Sequence, residues 1–106
     1  FIKKRFINRR FNIIKGPVPL TLKKFRNLKL SFLHLDMNSS IAEHETLKFF
    51  FDKMDYGSVI ILDDYGLISH NQQNIEHNKF FKNKKHMILE LPTGQGVCVK
   101  GLFKYA

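Results

Sequence analysis

Two short runs, Phe32-Leu-His-Leu-Asp36 and Val59-Ile-Ile-Leu-Asp63-Asp64, constrain this chain more than any other feature. Each is apolar, of strand length, and ends abruptly in carboxylate. The first acid of the second run follows Asp36 by 63 − 36 = 27 positions, with one helix-length amphipathic segment between. That layout is a βαβ unit with two parallel neighbouring strands, which brings Asp36, Asp63 and Asp64 to one sheet edge. Three carboxylates gathered there need a cation, a shared proton or a hydroxylated substrate. The competing local role is capping, since aspartate commonly caps the turn or helix after a strand.

The flanking segments fit the same frame. Residues 1–11 are basic and interleaved with Phe and Ile, read as the end of a helix, and 12–15 form a short strand candidate closed by Gly16-Pro17. A helical turn is expected over 21–27 and a buried strand over 28–36. Ser40 and Glu43 have the capping-box spacing, and Leu47, Phe50, Phe51 and Met54 recur at i, i+3, i+4, i+7, so a helix runs to about Asp55. A weaker helix over 72–82 is anchored by Ile75, Phe80 and Phe81. Strands over 87–91 and 96–103 are joined by Pro92-Thr-Gly-Gln-Gly96, too short a link for anything but an antiparallel hairpin. Continuously apolar strands alternating with helices imply an α/β sheet covered on both faces.

Composition limits the function classes. At 106 residues the chain is one domain or part of one, and its 11 Phe supply much of the core. No apolar run approaches the length of a membrane helix, so a soluble, cytoplasmic protein with no membrane partner is expected. Lone Cys98, inside an apolar run, reads as a buried thiol in a reducing compartment. The first 35 residues carry ten Lys/Arg and no acid, while 36–106 carry eight Lys/Arg and nine Asp/Glu. That asymmetry admits a basic nucleic-acid-binding arm, but a solvated lysine-rich surface is the favoured reading. The start at Phe1 suggests a piece of something longer.

Oxygen-rich strand ends suit a hard cation such as Mg²⁺, through which a substrate hydroxyl loses its proton more readily. His34 alternates onto the face of Asp36, where it either orients a carboxylate or sits as a satisfied core histidine. Asn38, Tyr65, His70 and Gln73 flank the acidic runs as candidate substrate contacts. His44, His77 and His86 read as surface residues, and no His/Cys spacing suits zinc. The 92–96 loop lacks the Lys-Ser/Thr of a phosphate loop.

Four segments carry a family resemblance: Lys15-Gly-Pro-Val-Pro-Leu-Thr-Leu22, Ser31-Phe-Leu-His-Leu-Asp-Met-Asn38, Gly57-Ser-Val-Ile-Ile-Leu-Asp-Asp-Tyr-Gly66 and Leu91-Pro-Thr-Gly-Gln-Gly-Val97. In this order they resemble the carboxy-terminal half of the macrocin O-methyltransferase family of class I S-adenosylmethionine-dependent methyltransferases. The resemblance implies part of a Rossmann-like sheet, mainly parallel with a carboxy-terminal antiparallel hairpin, residues 1–106 being the carboxy-terminal part of one domain. It implies that Asp36, Asp63 and Asp64 bind Mg²⁺ or a similar cation and that Asp36 is a candidate general base. The implied reaction is methyl transfer from S-adenosylmethionine to a hydroxyl of a sugar or other small natural product. The cofactor-binding half is absent from this chain, so its contact residues are unknown and the fragment alone is expected to be inactive. A homo-oligomer is admitted. The alternatives are a non-enzymatic nucleic-acid-binding module or an inactive remnant.

Overall fold

The structure is a computed structural model that describes residues 13–66 and 71–104. The helix read over 1–11 and the basic residues within it lie outside that range. Strand β1 (Phe32–Leu35) leads into helix α1 (Ser40–Phe50), then β2 (Val59–Leu62), helix α2 (Asn71–Asn83), and the hairpin strands β3 (Leu89–Glu90) and β4 (Gly96–Val99). Short 3₁₀ turns occupy Leu20–Phe25 and Phe51–Lys53. Among the described residues no helix is long and apolar enough to cross a membrane.

The sheet order is β1-β2-β4-β3. β1 and β2 are parallel, with His34 opposite Ile61 and Leu35 opposite Leu62, as the βαβ reading requires. β4 runs antiparallel to both β2 and β3, so the four strands form a mixed sheet rather than a mainly parallel one. The physical reason is the tight 92–96 link, which reverses the chain and seats β4 between β3 and β2.

Strand lengths are corrected too. The segment 28–36 becomes strand only at Phe32, opposite the start of β2, and leaves Leu28 half exposed. Past Val99 the chain turns at Gly101, whose φ of 83° favours glycine, so the 96–103 strand stops early. Ile13–Lys15 pair with no strand among the described residues and are exposed.

Alternation sorts the sheet residues. Leu35, Ile60, Leu62 and Cys98 face the helices and are fully buried against Leu47, Phe50, Phe51, Phe80 and Phe81. Burying each large apolar side chain contributes roughly 1.5–3 kcal/mol. α1 presents its expected stripe, with Leu47, Phe50, Phe51 and Met54 all buried. In α2 the buried stripe is Gln73, His77, Phe80 and Phe81, whereas Ile75 is half exposed. Ile75 lies two residues from His77, about 200° round the helix, and so on the opposite face. Both helices pack on one face of the sheet. On the other, Phe32 and Leu89 are 58% and 54% exposed. Val59, Ile61, Val97 and Val99 on that face are half-buried, and none joins the core cluster. The expectation of cover on both faces is therefore not met among the described residues.

The start of α1 is one residue earlier than the capping-box spacing suggests. Ser39 is the cap, its hydroxyl accepting from the Ala42 amide at 3.2 Å. Glu43, one position beyond the box, is freed for another task.

Candidate functional site

The parallel pairing of β1 and β2 sets the site. The Asp63 amide donates to the Leu35 carbonyl at 3.0 Å, which brings the acidic end of β2 beside that of β1. One carboxylate oxygen from each of Asp36, Asp63 and Asp64 then lies within 4.8 Å of the others. Asp36 is exposed and the other two are half-buried.

Asp63 is the best-held of the three. His34 Nε2 stands 3.0 Å from its Oδ1 and must carry the proton, because the carboxylate only accepts. The Gln95 amide nitrogen donates to the same oxygen at 3.0 Å. These bonds, Gln95 first and then His34, hold the Asp63 carboxyl below its usual pKa. Asp36 shifts the other way: the neighbouring charge of Asp63, then partial desolvation and Asp64, hold its carboxyl above the usual range. Opposite shifts on adjacent carboxyls describe one anchored carboxylate beside one that readily takes a proton.

Gln95 was not singled out in the sequence. The only signal was its place in Pro92-Thr-Gly-Gln-Gly96, which reads as a turn. It is aimed by two neighbours: the Thr93 hydroxyl donates to its Oε1 at 3.1 Å, and the Gly66 amide donates to the Gly94 carbonyl at 2.7 Å. The second bond docks the hairpin turn onto the loop after β2. Gly96 keeps the approach close, since a Cβ there would lie 2.7 Å from Tyr65 Cγ.

Of the remaining candidates, Asn38 sits exposed just past Asp36 with φ of 54°, a left-handed turn position that asparagine tolerates. Tyr65 is buried and turned toward α2, its hydroxyl donating to Asn78 Oδ1. Gln73 is buried on α2, and His70 lies outside the described residues. His77 and His86, read as surface residues, are buried at 2% and 5% exposure, enclosed by tertiary contacts. His86 accepts the Gly101 amide at 2.9 Å on Nε2. His77 Nε2 stands 2.9 Å from Glu43 Oε1. Cys98 is fully buried, and desolvation pushes its thiol up to about 12, so it is no nucleophile.

No protein-family model matches the chain. No curated protein matches it either. Among solved structures it is similar to the apo structure of a TDP-rhamnose 3′-O-methyltransferase, an enzyme in calicheamicin biosynthesis. The TM-score is 0.65 at 16% identity, over 79% of this chain and 37% of that one. The likeness shows a methyltransferase-like α/β fold, and the chain spans little more than a third of that protein's length.

Proposed function

We propose that this chain supplies the acceptor- and cation-binding part of an S-adenosylmethionine-dependent O-methyltransferase that acts on a hydroxyl of a sugar or other small natural product. The observation that carries the reading is the convergence of Asp36, Asp63 and Asp64 at the carboxyl ends of two parallel strands, in a fold shared with a sugar O-methyltransferase. Ligands of open α/β sheets bind at such strand ends.

The donor set fits a hard divalent cation: three carboxylates within 4.8 Å, their mutual repulsion uncompensated enough to raise Asp36. A divalent cation held by Asp36, Asp63 and Asp64 would supply Lewis acidity to an acceptor hydroxyl. Asp36, exposed at the rim, takes the hydroxyl proton as the acceptor oxygen is methylated. His34 and Gln95 keep Asp63 ionised and fixed in orientation. Asn38 lies at the same rim as a polar contact for the acceptor.

The methyl donor's site is assigned to further polypeptide beyond β1. Ser31 and Leu35 carbonyls accept from β2, so alternation points the amides of Phe32 and His34 away from it, toward an edge that pairs with nothing among the described residues. That edge and the helix-free apolar face offer a place for added strands and helices.

The test is methyl transfer to glycoside hydroxyls by the full-length polypeptide, with and without chelator and with Asp63→Ala. Loss of activity in both arms is expected; activity indifferent to both rejects the proposal.

A further inference from the structure

Each acidic run is gripped at the residue that follows it, the first by Glu43 of α1 backed by α2, the second by α2 directly. After Asp36, the Met37 amide donates to Glu43 Oε2 at 2.9 Å. Glu43 is buried on α1, and its other oxygen faces His77 of α2, 2.9 Å away. Burial pushes the Glu43 carboxyl up, but His77, the Met37 amide and the nearby Gln73 together outweigh it and hold the group ionised.

After Asp64, Tyr65 is enclosed by a second set. Its hydroxyl donates to Asn78 Oδ1, the Asn78 amide donates to Asn74 Oδ1 at 3.1 Å, and the Asn74 amide donates to the Tyr65 carbonyl at 2.9 Å. Three hydrogen bonds thus close a ring through one residue of the loop and two of the helix. Gln73 and His77 serve the first loop, while Asn74 and Asn78, the next residues along, serve the second. Within each pair the two residues lie about one helical turn apart, and the two pairs form adjacent rows one residue out of step.

We infer that α2 is a brace: through Gln73/His77 and Asn74/Asn78 it fixes the separation of Asp36 from Asp63 and Asp64, making these four positioning residues for the carboxylate cluster. The alternative is that they only stabilise the helix. Burial argues against that alternative. Gln73 and His77 are 4% and 2% exposed in a core otherwise rich in Phe, where an apolar pair would pack without needing partners. The Gln73 amide nitrogen and both His77 ring nitrogens are buried without a well-formed hydrogen bond among the described residues; His77 Nε2 meets Glu43 as a close 2.9 Å approach, so the polar pair is kept at a cost. What it secures is the Glu43 carboxylate beneath the Met37 amide.

This inference rests on the proposed cation site for its functional meaning, and the experiment separates the two. Asn78→Ala, His77→Leu, Glu43→Ala and Glu43→Gln are compared with Phe80→Leu, a stability control on α2 outside the brace. The first readout is the ¹³C shift of the Asp36, Asp63 and Asp64 carboxyl carbons in the full chain without metal. The second is Mn²⁺ affinity. The brace predicts altered carboxyl shifts and roughly 10- to 100-fold weaker Mn²⁺ binding in the first three variants. It predicts rescue by Glu43→Gln, which keeps an acceptor for the Met37 amide, and no change in Phe80→Leu. Unmoved carboxyl shifts in folded brace variants, or equal effects in Phe80→Leu, overturn the brace. If the wild type binds no Mn²⁺ while the brace variants still move the shifts, the cation reading fails and the brace stands.

Discussion

The buried Glu43–His77 contact makes a sharp prediction about stability. Both side chains are about 2% exposed, so replacing His77 with leucine leaves the Glu43 carboxylate buried without its facing partner. Breaking a buried pair on one side costs about 3–5 kcal/mol. The carboxylate keeps the Met37 amide, a hydrogen bond to a charged group worth about 1.5–3 kcal/mol, which places the loss near the lower end, about 3 kcal/mol. Glu43→Leu/His77→Leu removes both polar groups and leaves only the Met37 amide unsatisfied, at about 1–3 kcal/mol. The double variant is therefore no less stable than His77→Leu, and because Glu43→Leu alone also strands His77 and costs at least as much as the double, the cycle shows a coupling of about 3 kcal/mol.

Urea unfolding followed by circular dichroism at neutral pH measures His77→Leu, Glu43→Leu and the double variant, and strictly additive losses would refute the reasoning. The pH dependence adds an independent check. The Glu43 pKa is lower in the folded chain than in the unfolded one, so its stabilisation is complete above the ordinary carboxylate range and is lost as pH falls through the depressed folded value. Asp36, raised in the fold, contributes in the opposite sense and gains stability on acidification. The difference between wild type and Glu43→Gln isolates the first effect: their stability gap is widest near neutrality and shrinks in acid. A gap that does not change with pH would show that Glu43 is not ionised in the fold.

Two further outcomes are expected. Asp63→Asn removes the charge that most strongly raises Asp36, so the Asp36 carboxyl titrates closer to its ordinary range by ¹³C NMR; an unchanged titration would place the two carboxyls too far apart to interact. Amide hydrogen exchange in the chain alone should be faster at Phe32 and His34 than at Leu33 and Leu35, whose amides face β2; equal protection along β1 would mean that its outer edge is already paired.

The strongest sequence signals were those in which local pattern and tertiary role coincide. The two runs ending in Asp36 and Asp63 predicted a parallel pair because apolar continuity and a helix-length gap leave few other arrangements. The stripe of Leu47, Phe50, Phe51 and Met54 needed only helical periodicity. What stayed hidden depends on partners distant in the chain. Glu43 has the spacing of a capping residue, yet the cap is Ser39 and its carboxylate serves Met37 and His77. Gln73 reads as a candidate substrate contact and His77 as a surface residue, and Asn74 and Asn78 carry no mark, because nothing within α2 says that one face turns toward two loops. Gln95 reads as a turn residue until Asp63, 95 − 63 = 32 positions earlier, is seen against its amide.

The order in which these contacts are built bears on how far the site depends on anything else. β1 and β2 place the acids, α1 holds the first loop through Glu43, α2 backs Glu43 and grips the second loop, and the hairpin turn brings Gln95 to Asp63. Every contact just named lies within the described residues, and none of them uses the helix-free face or the open edge of β1. The carboxylate cluster is thus set by interactions of this chain alone, whereas the apolar face carrying Phe32, Ile61 and Val97 is not satisfied by them. On the proposed function, cation binding and methyl transfer should then be separable: the carboxylate geometry exists without any polypeptide along the open edge of β1, so Mn²⁺ binding by the chain alone is expected where methyl transfer is not.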